Sequence, residues 1–515
     1  MKLLATAALA AGFVLAAEIT PAHAQKEKDT LRIAQTSAIA LLDYWIDPRP
    51  EVQFNAEAAF DNLISYDDNK HAFVGTLVKS WKRVSPTVLE FQLRDDVTWS
   101  DGEKFDADDV VYTFNWVLDK DTKLRFKEAY TWIDKVEKTG PYTVRFITKE
   151  AIPWGLARLS TQTYILPEHV HAKLADKNDF GHQPVGTGPY RYIQIDQNKG
   201  LVAVKRDTYP QANSAKPAPT IGRLTVTMLP DPGTTTSMLM ADQIDIAKDL
   251  VSDQAENLAS TKKFELTLRN SQGAQYLLMD ARGRSGVKAL TDPKVRQAIA
   301  KSIDTKPYYT VVLGKEFADT PQPGAICSPR QVGCDYSVPQ EKYDPKGAKD
   351  LLAQTEYANG FDVTIIAFEG QSTQIAQILA GQLHAIGIRA SIKTQNFASY
   401  RNSQRDGKLE LLVGAYGGGG LPDVAQTLNF FFSDDAKNYH GRPDLIDLAG
   451  RVNTEMDPAK REAYSKKLLD EVTAMHYLVP LTDSSDIIVH RREVAVNKGS
   501  AAIGYGYVMS DVSWK

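Results

Sequence analysis

Alternating apolar and polar residues predict β-strands at several places along the chain. Leu89, Phe91 and Leu93 are separated by polar residues and therefore share one face of a predicted strand, and residues 142–148 follow the same pattern less regularly. The segments 190–195 and 201–205 also alternate, and the residues between them are turn formers. These two segments therefore predict a β-hairpin.

Predicted helices begin at capping residues and continue as apolar stripes of helical spacing. The Asp106–Asp109 segment provides a capping carboxylate and a second acid three residues later. The Asp292–Pro293 and Asp344–Pro345 pairs each place a cap before a proline in the first helical position. Another stripe covers residues 375–386 and ends at Gly387, after which the chain alternates as a strand. Helices and strands mixed along the whole chain predict an α/β fold.

Length and charge narrow the class of protein. At roughly 150 residues per domain, 515 residues correspond to about three domains. The chain is 43% hydrophobic and 24% charged, as expected for a soluble globular protein. Its 60 basic and 64 acidic residues leave a net charge of −4, which is too little positive charge for nucleic-acid binding. We therefore expect no nucleic-acid partner.

The first 24 residues have the pattern of an export signal. Lys2 precedes the apolar segment 3–17, and a small-x-small site predicts cleavage after Ala24. The apolar segment is shorter than the ~20 residues that a membrane span needs, and a buried helix is the structural alternative. No cysteine lies near the cleavage site, so a lipid anchor is not expected. The sequence predicts a soluble periplasmic protein.

The two cysteines, Cys327 and Cys334, lie in a loop rich in proline and glycine. In an oxidising compartment two cysteines this close predict a disulfide. A zinc site would need two further ligands, and no other histidine or cysteine is near in the sequence.

The sequence lacks the common catalytic motifs. It contains no G-x-S-x-G, no phosphate-binding P-loop, no dinucleotide-binding glycine pattern and no H-E-x-x-H. His169 and His171 are close together, but their setting is more typical of solvated surface than of a metal site. Neither a cofactor nor a metal is predicted. Unpaired carboxylates leave an exported glycosidase-type or peptidase-type hydrolase as the alternative function, and a periplasmic chaperone is a third.

A glycine run is the most unusual local feature. Tyr416 is followed by residues 417–420, all glycine, directly after an apolar strand. Backbone without side chains allows a ligand to approach closely. A flexible loop is the alternative.

Five segments in order, residues 59–63, 81–110, 184–190, 295–304 and 343–345, resemble the family-5 extracellular solute-binding proteins. These are the receptors of bacterial ATP-driven importers of peptides, nickel and opines. The resemblance implies a monomer with two lobes that close on a small organic solute, and an additional N-terminal domain. It also implies no enzymatic activity and a partner permease in the inner membrane.

The resemblance gives the number of domains, and the length of the chain gives their expected boundaries. We expect lobe I to contain residues 25–64, 190–282 and 485–515, the extra domain residues 65–189, and lobe II residues 283–484. The strands that cross between the lobes are expected near residues 190, 282 and 485.

Peptide receptors of this family use an aspartate after an aromatic residue to bind the α-ammonium of the ligand. The corresponding position here is glycine, and Asp423 matches only a later acid. This departure favours a sugar, an opine-like conjugate of a sugar and an amino acid, or a blocked peptide over a peptide with a free amine. Arg401 would favour a ligand with a carboxylate. The predicted ligand-binding residues are Gln35, Ser37, Trp45, Gln272, Tyr276, Arg401, Tyr416, Gly418, Gly419 and Asp423.

Overall fold

The computed structural model describes residues 29–67, 70–209, 216–248, 250–335, 337–496 and 509–515. The predicted export signal, residues 1–24, lies outside the described residues. In the described part of the chain, no helix is long and apolar enough to cross a membrane.

Eighteen strands are described. They are β1 (Thr30–Gln35), β2 (Ile64–Asp67), β3 (Ala72–Gly75), β4 (Val78–Ser85), β5 (Val88–Leu93), β6 (Ile133–Gly140), β7 (Thr143–Thr148), β8 (Tyr190–Asp196), β9 (Gly200–Lys205), β10 (Arg223–Met228), β11 (Ile246–Ala247), β12 (Phe264–Met279), β13 (Asp362–Phe368), β14 (Arg389–Gln395), β15 (Leu411–Tyr416), β16 (Leu478–Arg491), β17 (Val494–Val496) and β18 (Val512–Trp514).

The α-helices of the described residues are α1 (Pro50–Ala59), α2 (Ala107–Leu118), α3 (Gly155–Leu159), α4 (Glu168–His171), α5 (Pro232–Met240), α6 (Ser252–Ser260), α7 (Pro293–Lys301), α8 (Lys306–Leu313), α9 (Pro345–Leu352), α10 (Gln371–Ala385), α11 (Phe397–Arg405), α12 (Val424–Phe431), α13 (Pro443–Thr454) and α14 (Pro458–Met475).

A ten-stranded sheet runs through the molecule in the order β14-β13-β15-β12-β16-β11-β1-β10-β9-β8. We call lobe I the part built on β1 and β8 to β11, and lobe II the part built on β13 to β15. The long antiparallel strands β12 and β16 belong to both lobes, and their pairing shifts register between Asn270 and Ala274. The two lobes are therefore joined by continuous strands.

The parallel strands of the two lobes run toward each other. β16 is antiparallel to both β11 and β12, and β15 is antiparallel to β12. β1 is parallel to β11, and β13 is parallel to β15. The carboxyl ends of both sets of strands therefore face the region where β12 and β16 cross, which is where open α/β sheets bind ligands.

Alternate residues of β12 enter different cores, as the two-residue period of a strand requires. Tyr276 and Leu278 join one apolar cluster with α12, α13 and α14, whereas Leu277 and Met279 join another with α7, α8 and α10. Helices thus cover both faces of the lobe II sheet, and the predicted α/β class is confirmed.

A separate four-stranded sheet, in the order β4-β5-β7-β6, forms the extra domain together with α2. Phe114 of α2 packs edge-on against Phe146 of β7, with ring centroids 4.7 Å apart. The predicted capping box is present. The Asp106 carboxylate accepts a hydrogen bond from the backbone N–H of Asp109, and the Asp109 carboxylate accepts one from the backbone N–H of Asp106.

The other local predictions are also confirmed. Asp292 and Asp344 cap α7 and α9 with proline in the first turn, and β8 and β9 form the antiparallel hairpin. Gly387 has a φ of +94° between α10 and β14, which glycine adopts without strain. Cys327 and Cys334 are joined by a disulfide, with Cα atoms 5.9 Å apart.

Candidate functional site

The cleft between the lobes is bordered by the residues that follow the parallel strands. Gln35 ends β1 and Lys248 follows β11 on the lobe I side. Glu369 follows β13 and the glycine run follows β15 on the lobe II side. This arrangement brings polar groups of both lobes to one region of the molecule.

A cavity of about 310 Å³ lies in the cleft, between lobe I, the extra domain and lobe II. Most of its wall is aromatic or aliphatic, and among the described residues that line it none carries a carboxylate. The lining residues are Tyr44, Trp45, Pro48, Pro50, Leu124, Phe126, Ala129, Tyr130, Arg158, Gln162 and Gln426. An apolar wall with a few polar groups is typical of small-molecule sites.

Arg158 provides the only formal charge among the cavity residues described. Its side chain is 7% exposed, and its Nη2 donates a 2.6 Å hydrogen bond to Oε1 of Gln426 in lobe II. Its Nε has no hydrogen-bond partner, and the described part of the chain offers it no ion pair. A buried guanidinium without a counter-ion is unfavourable. An anionic group in the cavity would compensate its charge.

The aromatic wall is held by a turn that begins at Asp43. Oδ1 of Asp43 accepts a 2.9 Å hydrogen bond from the Trp45 backbone N–H, and the Trp45 indole donates to the Tyr164 carbonyl at 3.0 Å. The other Asp43 oxygen is buried, and the described residues offer it no hydrogen-bond partner. Burial raises the pKa of the Asp43 carboxyl to about 7, against which hydrogen bonds from backbone N–H groups act.

Gln35 and Ser37 lie in one hydrogen-bonded loop. The Gln35 side chain donates to the Ser37 carbonyl at 2.9 Å and accepts from the Asn55 amide at 2.9 Å. The Ser37 hydroxyl is 3.0 Å from a carboxylate oxygen of Glu51. Trp45 lines the cavity beside Arg158, whereas Gln35 and Ser37 are not among its lining residues and contact α1 instead.

Tyr276 and Tyr416 belong to an aromatic cluster in lobe II. Both rings meet Phe431 edge-on, with centroids 5.1 and 5.2 Å away, and Tyr416 also stacks on Phe430 at 4.6 Å. Gly418 and Gly420 have φ values of +68° and +66° in a single 3-10 turn after Tyr416. The glycine run therefore includes a 3-10 turn.

Asp423 and Arg401 have partners within lobe II. The Asp423 carboxylate is 3% exposed, caps α12, and binds both terminal nitrogens of Arg461 at 2.5 and 2.9 Å. Burial raises the pKa of Asp423, and the nearby Arg461 lowers it in part. Arg401 is exposed on α11 and donates to Gln404 at 2.8 Å.

The side chain of Gln272 and the surroundings of Gly419 lie outside the described residues. Sequence reasoning did not identify Arg158, Gln162, Gln426 or Lys248. The sequence signal at Arg158 is a single charged residue within an otherwise apolar segment, residues 152–159. Burying a charge costs free energy unless the charge has a partner, so such a residue is a candidate for a binding role.

The histidine pair does not form a metal site. His169 bonds to Asp101 at 2.7 Å, whereas His171 is fully buried and its Nδ1 is 2.6 Å from the Tyr112 hydroxyl. The expectation of solvated surface is therefore wrong for His171, whose ring fills an aromatic pocket. Among the described residues, no group of three or more potential ligands could hold a metal.

Residues 72–439 match the family described as bacterial extracellular solute-binding proteins, family 5. The chain belongs to this family. A glutathione-binding protein, GsiB, from Salmonella paratyphi A is 27% identical over 400 residues, which cover 76% of this chain and 74% of the relative. The GsiB protein of Pectobacterium atrosepticum is 25% identical over 408 residues, covering 78% and 75%.

Solved structures show the same fold at lower identity. The substrate-binding protein CtaP of Listeria monocytogenes has a TM-score of 0.82 and 17% identity, covering 94% of this chain and 99% of that one. NikA from Brucella suis, in complex with Fe(III)-EDTA, has a TM-score of 0.81 and 20% identity, covering 94% and 100%. The chain thus has the two-lobed, three-domain architecture of periplasmic binding proteins.

Membership of family 5 gives the function at a coarse level. The protein is a solute-binding protein of an ABC import system, and its relatives are binding proteins and not enzymes. The comparisons give no support to the hydrolase alternative. The class of solute depends on the residues that line the cavity.

Proposed function

We propose that this family-5 protein binds a carboxylate-bearing, peptide-like solute between its lobes and delivers it to an ABC permease. An opine or a sugar conjugate with a carboxylate fits the same description. The observation that carries the proposal is Arg158, a buried cation at an apolar cavity to which the described residues offer no carboxylate partner. A ligand carboxylate would form a charge-assisted pair with its guanidinium.

Two features argue against a free α-ammonium as the main anchor. The glycine run follows Tyr416 where peptide receptors carry an aspartate, and the carboxylate of Asp423 is already held by Arg461. A cationic amine in this cavity would meet Arg158 and, among the described lining residues, no carboxylate. Electrostatic repulsion would therefore select against it.

Glutathione is a suitable first probe. The relatives with 25–27% identity are named glutathione-binding proteins, and glutathione is a γ-linked tripeptide with two carboxylates. Its γ-linkage also gives it an α-amine in a position that differs from that of ordinary peptides. Glutathione therefore tests the carboxylate anchor at Arg158 with a solute whose α-ammonium does not occupy the N-terminal position of an ordinary peptide.

The hydrogen bond between Arg158 and Gln426 supports closure around the solute. Arg158 belongs to α3, which packs with the extra domain, and Gln426 belongs to α12 in lobe II. A solute that contacts both sides would favour the closed arrangement by its differential affinity for it. The β12 and β16 strands would serve as the hinge.

Several expectations from the sequence remain part of this proposal. They are export by residues 1–24, a periplasmic location without a lipid anchor, a monomeric state, the domain boundaries given above, and a role for Gln35, Ser37, Tyr416 and the glycine run in ligand contact. Asp43 and Trp45 would shape the wall that receives the solute.

The deciding experiment compares Arg158→Gln with Arg401→Gln. Wild type and both variants are titrated calorimetrically with glutathione, a dicarboxylic opine and simple free-amine dipeptides. We expect Arg158→Gln to weaken carboxylate ligands roughly thirtyfold or more, because one partner of a buried charged pair is lost. Arg401→Gln, which alters an exposed arginine, should have little effect.

Tight binding of free-amine dipeptides that is unchanged in Arg158→Gln would contradict the proposal. Native mass spectrometry of the purified protein gives an independent answer, since a retained solute without an acidic group would also contradict it. A larger effect of Arg401→Gln than of Arg158→Gln would indicate that the anion site lies at α11 and not at Arg158.

A further inference from the structure

Lys248 is a second buried cation at the edge of the cleft. It follows β11 directly, and its backbone N–H donates to the Ala34 carbonyl at 3.1 Å. Its side chain is 8% exposed and its Nζ lies 3.9 Å from the centroid of the Phe54 ring. Over the residues that the structure describes, Lys248 has no ion pair. A cation–π contact offsets only part of the cost of burying an ammonium group.

A groove of about 770 Å³ opens beside Lys248 and is lined by both lobes. The first turns of α6 and α10 contribute Ser252 and Gln371 to its wall, and neither helix has a side-chain cap. Uncapped first turns present backbone N–H groups and partial positive charge. The buried ammonium and two helix N-termini thus favour an anion in the same groove.

Two carboxylates also line this groove, those of Asp253 and Glu369. Both residues are exposed at the rim, whereas Lys248 is buried. Exposed charges are screened by solvent and salt, so they oppose an anion at the base of the groove only weakly. Among the described residues that line the groove, Lys248 is therefore the only charged residue that is buried.

The groove and the cavity of Arg158 flank the same helical turn. Pro50 lines the cavity, and Phe54, four residues later on α1, lies under Lys248. Four residues of an α-helix rise about 6 Å, which is close to one turn. The cavity and the Lys248 ammonium therefore lie against the same turn of α1, as a single solute that reached both would require.

We propose that the groove at Lys248 is a second anion-binding subsite and that the transported solute carries two anionic groups. Arg158 binds one group and Lys248, with the first turns of α6 and α10, binds the other. This inference rests on the proposed function and names its substrate class more narrowly, as a dicarboxylate.

The test uses ligand pairs that differ by one charge. Glutathione and a dicarboxylic opine are each compared with the monoamide that removes one carboxylate, on wild type and on Lys248→Met, by isothermal calorimetry. We expect Lys248→Met to raise the dissociation constant of the dicarboxylates roughly tenfold or more. The same substitution should change the dissociation constant of at least one monoamide of each solute by less than threefold.

Lys248→Arg should recover most of the affinity, and Lys346→Met, an exposed lysine of α9, serves as the matched control. Thermal unfolding without ligand checks that the variants fold. Equal losses for dicarboxylates and monoamides, or no loss at all, would overturn the second subsite. If monocarboxylates bind through Arg158 and a second carboxylate adds nothing, only this inference fails. If no carboxylate solute binds, the proposed function fails with it.

Discussion

Arg158 and Gln426 are 268 positions apart in the sequence, yet Nη2 of the arginine lies 2.6 Å from Oε1 of the glutamine. The contact joins α3, beside the extra domain, to α12 of lobe II. It can form only when the lobes are close. The same arginine that faces the cavity therefore also connects the two sides of the cleft.

The first prediction concerns this contact. Gln426→Ala should raise the dissociation constant of a bound solute about tenfold, because a hydrogen bond to a charged group contributes about 1.5–3 kcal/mol and exists here only in the closed form. The measurement is calorimetric titration with a solute that wild type binds. Asn429→Ala, on the exposed side of the same helix, is the control, and equal effects of the two variants would contradict the prediction.

The second prediction concerns the buried pair of Asp423 and Arg461. Asp423→Ala should lower the free energy of unfolding by about 3–5 kcal/mol, because it leaves a buried guanidinium uncompensated. The double variant Asp423→Leu with Arg461→Met should be less destabilised than the single variant. Urea unfolding measures both, and a double variant that loses the sum of the two single effects would argue against coupling.

The third prediction is a pH dependence at Asp43, whose folded pKa is about 7. The unfolded carboxyl ionises near pH 4, so the unfolded state gains stability relative to the folded one as pH rises from about 4 to 7. Asp43→Asn removes this effect. It should stabilise the protein by about 2–3 kcal/mol more at pH 8 than at pH 5.

Urea unfolding of wild type and Asp43→Asn at the two pH values provides the measurement for Asp43. Asp253→Asn, an exposed carboxylate of α6, is the control. Parallel pH profiles for wild type and Asp43→Asn would show that Asp43 does not titrate as described.

The fourth prediction concerns the disulfide. Replacing Cys327 and Cys334 by serine should lower the free energy of unfolding by about 2 kcal/mol, the value expected for closing a loop this short. Ligand affinity should change less than threefold, since neither cysteine lines the cavity of Arg158. Thiol labelling of the unreduced, unfolded wild type should modify neither residue. Labelling of both would contradict the bond.

Local features of this fold could be predicted from the sequence because their causes are local. The caps at Asp106 and Asp292 act within one helical turn, and Gly387 ends α10 through its own backbone conformation. The α/β class follows from many such units. The family resemblance was carried by segments of the same kind, which specify turns and caps.

The candidate site depends on contacts between distant parts of the chain, and these were not predictable from spacing. Nothing in the sequence near Arg158 indicates that Gln426 lies beside it. Asp423 matches a family acid by position, but its carboxylate is bound by Arg461, a contact within lobe II that the motif does not encode.

Gly414 is a further long-range contact that spacing does not predict. It allows the Tyr276 ring to approach, since a Cβ there would lie 2.5 Å from the ring.

The long strands that join the lobes also determine the order in which this protein can fold. β16 pairs with β11 through Ile246 and His490, about 240 residues apart, and the last strands of the chain complete the apolar core of lobe I. Because synthesis starts at the N-terminus, lobe I cannot complete its core until the residues of lobe II have been synthesised. Such late, non-local pairing folds slowly and exposes unpaired strand edges to aggregation. The strands that join the lobes thus make the stability of lobe I dependent on residues that are synthesised after lobe II.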